Sequence, residues 1–71
     1  MQPEEEWMLF CRFDDPRAAE GLCVWLRNEQ VKARAERGAV YVQRSQCHRA
    51  YWVVDHLPPT EEDLMLMAGG V

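Results

Sequence analysis

The chain has 71 residues, with 8 Lys or Arg against 12 Asp or Glu (formal net charge −4), and 48% of its residues are hydrophobic. Size excludes a large catalytic domain, and the apolar fraction is enough for a core, which excludes a disordered chain. No apolar run approaches the ~18 residues of a membrane span, and residues 1–6 are acidic rather than basic and apolar, so neither membrane insertion nor a signal peptide is expected.

Charge is segregated along the chain. Residues 1–15 carry five acids and one base, residues 16–54 seven bases and three acids, and residues 55–71 four acids and no base. A mildly basic middle thus lies between acidic ends, and the overall −4 does not exclude an anionic partner. The organisation expected is an acidic N-terminal tail at 1–6, one domain at 7–57, and a Pro-led tail or short helix at 58–71.

Residues 7–13, Trp-Met-Leu-Phe-Cys-Arg-Phe, read as a strand. Alternation places Trp7, Leu9, Cys11 and Phe13 on the core face and Met8, Phe10 and Arg12 on the other. With apolar residues on both faces, an interior or doubly covered strand is expected. Asp15 suits a helix N-cap and Pro16 the first helical position. The helix runs to 28–30 with an apolar stripe of Ala18, Ala19, Leu22, Trp25 and Leu26. Gly21 inside it marks a close approach, expected to be to the sheet.

Residues 31–44 read as a hairpin turning at Arg37-Gly38. That register pairs Glu36 with Ala39, Arg34 with Tyr41 and Lys32 with Gln43 on a polar face. Val31, Ala33, Ala35, Val40, Val42 and Arg44 fall on the opposite face, nearly all apolar. Residues 45–48 read as a loop and 50–55 as a further strand, with Trp52 and Val54 toward the core and Tyr51 and Val53 away from it. Thr60 and Asp63 form a helix-start pattern, and Gly69-Gly70 ends the short helix. The fold class expected is α+β: a two-layer strand-helix-strand-strand(-strand) sheet with one packed helix and a short C-terminal helix.

Met8-Leu9, Phe13, Pro16-Arg17, Ala19, Trp25-Leu26 and Val31 together resemble the start of the N-terminal cytoplasmic domain of bacterial rhomboid proteases, over residues 8–31, with 50–55 similar to its last strand. The resemblance implies a half-ferredoxin-like fold and a detached accessory domain, with no protease residue to carry over. The stretch around 32–49 departs from that pattern. The run from Asp15 to Glu20 is also similar to small prokaryotic domains assigned to signal transduction.

Three cysteines, Cys11, Cys23 and Cys47, occur without close-spaced pairs. Together with the missing signal peptide they suggest a reducing, cytoplasmic setting, with the thiols acting as small hydrophobes. A metal site drawn from these cysteines with His48 and His56 lacks ligand spacing, and a Cys–His nucleophile has no cleft or oxyanion-hole motif. No metal, cofactor or catalytic residue is expected, and the chain reads as a non-enzyme. The function expected is a regulatory or accessory protein-interaction module that uses an open sheet face or edge. The residues expected to bind the partner are Met8, Phe10, Lys32, Arg34, Tyr41, Gln43, Tyr51 and Val53. A homodimer through the same surface is a variant of this reading. Alternatives are single-stranded nucleic-acid binding on the Arg/Lys/Tyr face, and a small inhibitor that blocks a partner's active surface. The tail residues 64–67 are expected to cover the chain's own core rather than to dock elsewhere.

Overall fold

The computed structural model describes residues 6–56 and 58–69. The tail at 1–5, the domain end at residue 57 and the glycine at 70 lie outside them. The elements are β1 (Trp7–Arg12), α1 (Pro16–Asn28), β2 (Ala33–Glu36), β3 (Ala39–Gln43), a 3-10 turn (Arg44–Gln46), α2 (Cys47–His56) and α3 (Glu61–Gly69). The strands form one antiparallel sheet in the order β1-β3-β2. This is the expected two-layer α+β class, with β3 inserted between the two strands that α1 connects. Among the described residues no helix is long and apolar enough to cross a membrane.

Helix α1 starts as its residues dictate. The Asp15 side chain accepts the Arg17 backbone N–H at 2.9 Å, and Pro16 occupies the first turn. The Arg17 guanidinium also reaches Asp15, and it is this side-chain hydrogen bond, then the backbone one, that lowers the Asp15 pKa. The C-terminus closes without a glycine. Val31 N–H donates to Leu26 C=O and Gln30 N–H to Arg27 C=O, with Gln30 at φ 65°. These are the two bonds of a Schellman cap, and buried Val31 and Leu26 make its apolar contact.

The hairpin has the expected register. Ala33, Arg34, Ala35 and Glu36 face Val42, Tyr41, Val40 and Ala39. Positive φ at both Arg37 (50°) and Gly38 (84°) makes a turn of the type whose twist suits a two-residue hairpin. A side chain at Gly38 would also meet the Phe13 carbonyl oxygen at 2.7 Å.

The core lies on one side of the sheet. Val31, Ala33, Val40 and Val42 pack with Ala18, Ala19, Leu22 and Leu26 of α1, Ala50 and Val53 of α2, and Leu64 of α3. Residues 50–55 are therefore helix, not strand. Their apolar residues also satisfy a helical spacing from Cys47 through Ala50 to Val53 and Val54, and β3 already has a strand on each side. Val53 points into the core and Trp52 outward, the reverse of the strand expectation.

Helix α3 starts with the reciprocal cap read from Thr60 and Asp63. Asp63 N–H donates to Thr60 Oγ1 at 3.1 Å, and Thr60 N–H to Asp63 Oδ2 at 3.2 Å. It packs against α1 at Gly21, where a Cβ would collide with the Leu64 backbone. The close approach marked by Gly21 is thus to another helix, not to the sheet. Leu64 is buried, so the tail covers the chain's own core.

Candidate functional site

All the helices that contribute to the core do so from one side, so the opposite face of the sheet is where long side chains are free to reach solvent or a partner. Directly opposed residues in a ladder share a face. The pairs Arg34–Tyr41, Leu9–Tyr41, Trp7–Gln43 and Arg12–Ala39 therefore define the open face, and the hydrogen bond from Gln43 N–H to Lys32 C=O extends it.

Lys32, Arg34, Tyr41 and Gln43 occupy the face expected of them. The other four residues singled out from the sequence do not. A β-bulge between Leu9 and Cys11 inserts Phe10 as an extra residue, and Met8 pairs with core residue Val42. Met8 faces the helices, with its sulfur 3.7 Å from Cys47 Sγ. Phe10 packs on Tyr51 of α2, ring centroids 4.8 Å apart. Tyr51 is 60% exposed but belongs to the helical layer, and Val53 is 0% exposed. Met8, Phe10, Tyr51 and Val53 thus leave the proposed surface, Val53 because it is core.

Trp7 and Leu9 replace them, 38% and 49% exposed, although alternation assigned both to the core. β1 is an edge strand rather than an interior one, which is why three consecutive apolar residues, Trp7, Met8 and Leu9, remain exposed. The apolar content of both strand faces was visible in the sequence. The inversion was not, because nothing local marks the bulge.

Arg34 organises the open face. From β2 its guanidinium lies 5.8 Å from the Tyr41 ring centroid and 5.2 Å from that of Trp7, so it reaches across β3 to β1. These are cation–π distances. Glu36 Oε2 is 3.6 Å from its Nη2, an ion pair too long for a hydrogen bond.

The two sheet edges differ. Lys32 C=O points to β3, so by alternation the backbone groups of Ala33 and Ala35 point to the free edge of β2. There Arg27 donates from Nε and Nη2 to Ala33 C=O, at 3.1 and 2.9 Å, and occupies the edge. Gln46 braces the preceding linker by accepting Lys32 N–H at 2.6 Å and donating to Gln30 C=O at 3.3 Å. On β1, Glu6 C=O accepts Arg44 N–H, so Trp7 and Leu9 turn their backbone groups away from β3, toward the other edge of the sheet.

On the helical side, Phe10, Phe13, Leu22, Tyr51, Pro58 and Pro59 line an apolar recess of about 410 Å³ that also contains Cys11. Desolvation raises the Cys11 pKa, and burial pushes the Cys23 thiol up to about 11. Neutral thiols of this kind are poor nucleophiles. All three cysteines are free. His48 and His56 lie on exposed positions of α2, with His56 stacked on Trp52 at 4.4 Å.

No known family, no curated protein and no solved structure matches the chain.

Proposed function

We propose that the chain is a non-catalytic protein-interaction module, cytoplasmic and regulatory or accessory in role, which binds a partner protein through the open sheet face and the adjoining β1 edge. One observation carries this reading: a face bearing exposed Trp7 and Leu9 beside Arg34 and Tyr41 lies opposite the helical layer. Aromatic and arginine side chains supply most of the energy of protein interfaces. The β1 edge, along which Trp7 and Leu9 turn their backbone groups away from β3, adds donors and acceptors for a partner's strand. The accessory-domain role implied by the likeness of residues 8–31 to the rhomboid cytoplasmic domain is compatible with this reading, as is a small inhibitor that masks a partner's surface.

Capture of partners by the tagged full chain, identified by mass spectrometry, tests the reading. Trp7→Ala, Arg34→Ala and Tyr41→Ala should each weaken capture, whereas Arg49→Ala on the helical layer should not. Undiminished capture by all three sheet-face variants would place the interface elsewhere. Sedimentation separates the self-association variant, which requires a dimer that Trp7→Ala dissociates.

A further inference from the structure

We infer that the open face receives an acidic segment of a protein partner, a short run of carboxylates seated on Arg12, Lys32 and Arg34. This inference rests on the protein-binding reading above and specifies its partner. The chain as a whole has more acids than bases, 12 against 8, yet this face carries those three cations and one acid, Glu36.

Of the other bases, Arg17 pairs with Asp15 at 3.1 Å, Arg44 has an exposed contact with Glu6 at 3.8 Å, and Arg37 sits in the hairpin turn. Arg27 holds Ala33 C=O, and Arg49 donates to Glu29 C=O at 3.4 Å. Among the described residues neither Arg12 nor Lys32 has an ion pair. Arg34 has only the loose contact with Glu36, in which the two side chains are 51% and 62% exposed. An incoming carboxylate can take the place of Glu36 without uncovering a buried charge.

The two rings also hold the Arg34 guanidinium across the sheet, so less side-chain freedom is lost when it binds. Its N–H edges suit a carboxylate in two-point contact. Leu9 lies beside the cations and fits an apolar side chain of a peptide rather than a stacked base.

Titration of the 15N-labelled full chain tests this, with three probes: an octaglutamate peptide with a central leucine, its lysine counterpart, and an eight-residue oligothymidylate. At low salt the glutamate peptide should shift the Trp7 indole and the Arg34 and Tyr41 amides, and the lysine peptide should not. Binding should weaken toward about 0.15 M salt. Arg34→Gln should weaken it about tenfold. Glu36→Gln should tighten it about twofold to fivefold by removing the internal competitor, an effect that a purely structural Arg34 does not produce.

Tighter binding of the oligothymidylate makes nucleic acid the occupant and overturns the inference. So do shifts confined to the helical layer, or indifference to both substitutions. Should Arg34→Ala and Tyr41→Ala abolish capture of a partner while the glutamate peptide leaves the face unmoved, the acidic occupant falls and the protein-binding reading stands. If neither responds, both fall.

Discussion

The two faces of the sheet use alternate residues of the same strands and are built on opposite terms. Toward the helices stand small, stiff side chains, Val31, Ala33, Val40 and Val42, closed over by Leu22, Leu26, Ala50 and Val53. On the other side stand Trp7, Leu9, Lys32, Arg34 and Tyr41, long side chains that keep one end in water. The first group loses little rotamer freedom when buried, and the second would lose much more. In so short a chain stability comes from one face, which leaves the other available for recognition.

Substitutions should respect that division. A chain of this length has about 4–10 kcal/mol of stability in total. The largest loss is expected at Leu26, fully buried: Leu26→Ala should cost about 2–5 kcal/mol in urea unfolding, enough to populate the unfolded state. Val53→Ala should cost about 2 kcal/mol if Val53 is core, whereas an interface residue would change binding and leave stability alone. Gly21→Ala drives a methyl into the Leu64 backbone and should cost about 1–3 kcal/mol, with hydrogen exchange at Leu64 accelerated as α3 lifts from α1. In the opposite direction, Arg37→Asn should gain about 0.5–1 kcal/mol, because asparagine tolerates the positive φ that Arg37 adopts at 50°. The smallest effect is expected on the open face, where Arg34→Ala should change stability by less than about 0.5 kcal/mol.

A pH test sharpens the same contrast. Burial raises the Cys23 thiol from 9.0 to about 11, so the folded state favours the neutral form. Stability from that burial is complete below the ordinary thiol value and is lost as pH rises through about 11. Cys23→Ala should flatten this alkaline limb in thermal melts. An unchanged limb would show that Cys23 ionises no differently when folded.

How much was legible varied with how local the signal was. The α1 start, the hairpin turn and the α3 cap each rest on a side chain acting within a few residues, at Asp15, at Arg37-Gly38, and at Thr60 with Asp63. The α1 terminus was located without its mechanism, since Gln30 takes the position where glycine is the usual signal. Residues 50–55 suit a strand because Tyr51, Trp52, Val53 and Val54 are aromatic or β-branched, and the helical spacing through Cys47, Ala50 and Val53 is equally present. Two periods fit one short segment, and β-branched propensity is too weak to choose between them.

The candidate site divides along the same line. Lys32, Arg34, Tyr41 and Gln43 lie in or beside the hairpin, whose turn fixes which side chains share a face. Met8, Phe10, Tyr51 and Val53 depended on elements whose orientation no local residue sets. In β1 one inserted residue at Phe10 exchanges the faces, so that Trp7 and Leu9 look outward.

The sequence by itself therefore determined the α+β class, the hairpin register, the starts of α1 and α3 and the polar half of the open face, because caps, turns and alternation act over a few bonds. Only the tertiary structure decided that 47–56 is a helix, that β1 is a bulged edge, and that Gly21 receives α3. Each of those depends on which distant surfaces compete for the same apolar face of the sheet, and that competition is settled by packing rather than by local propensity.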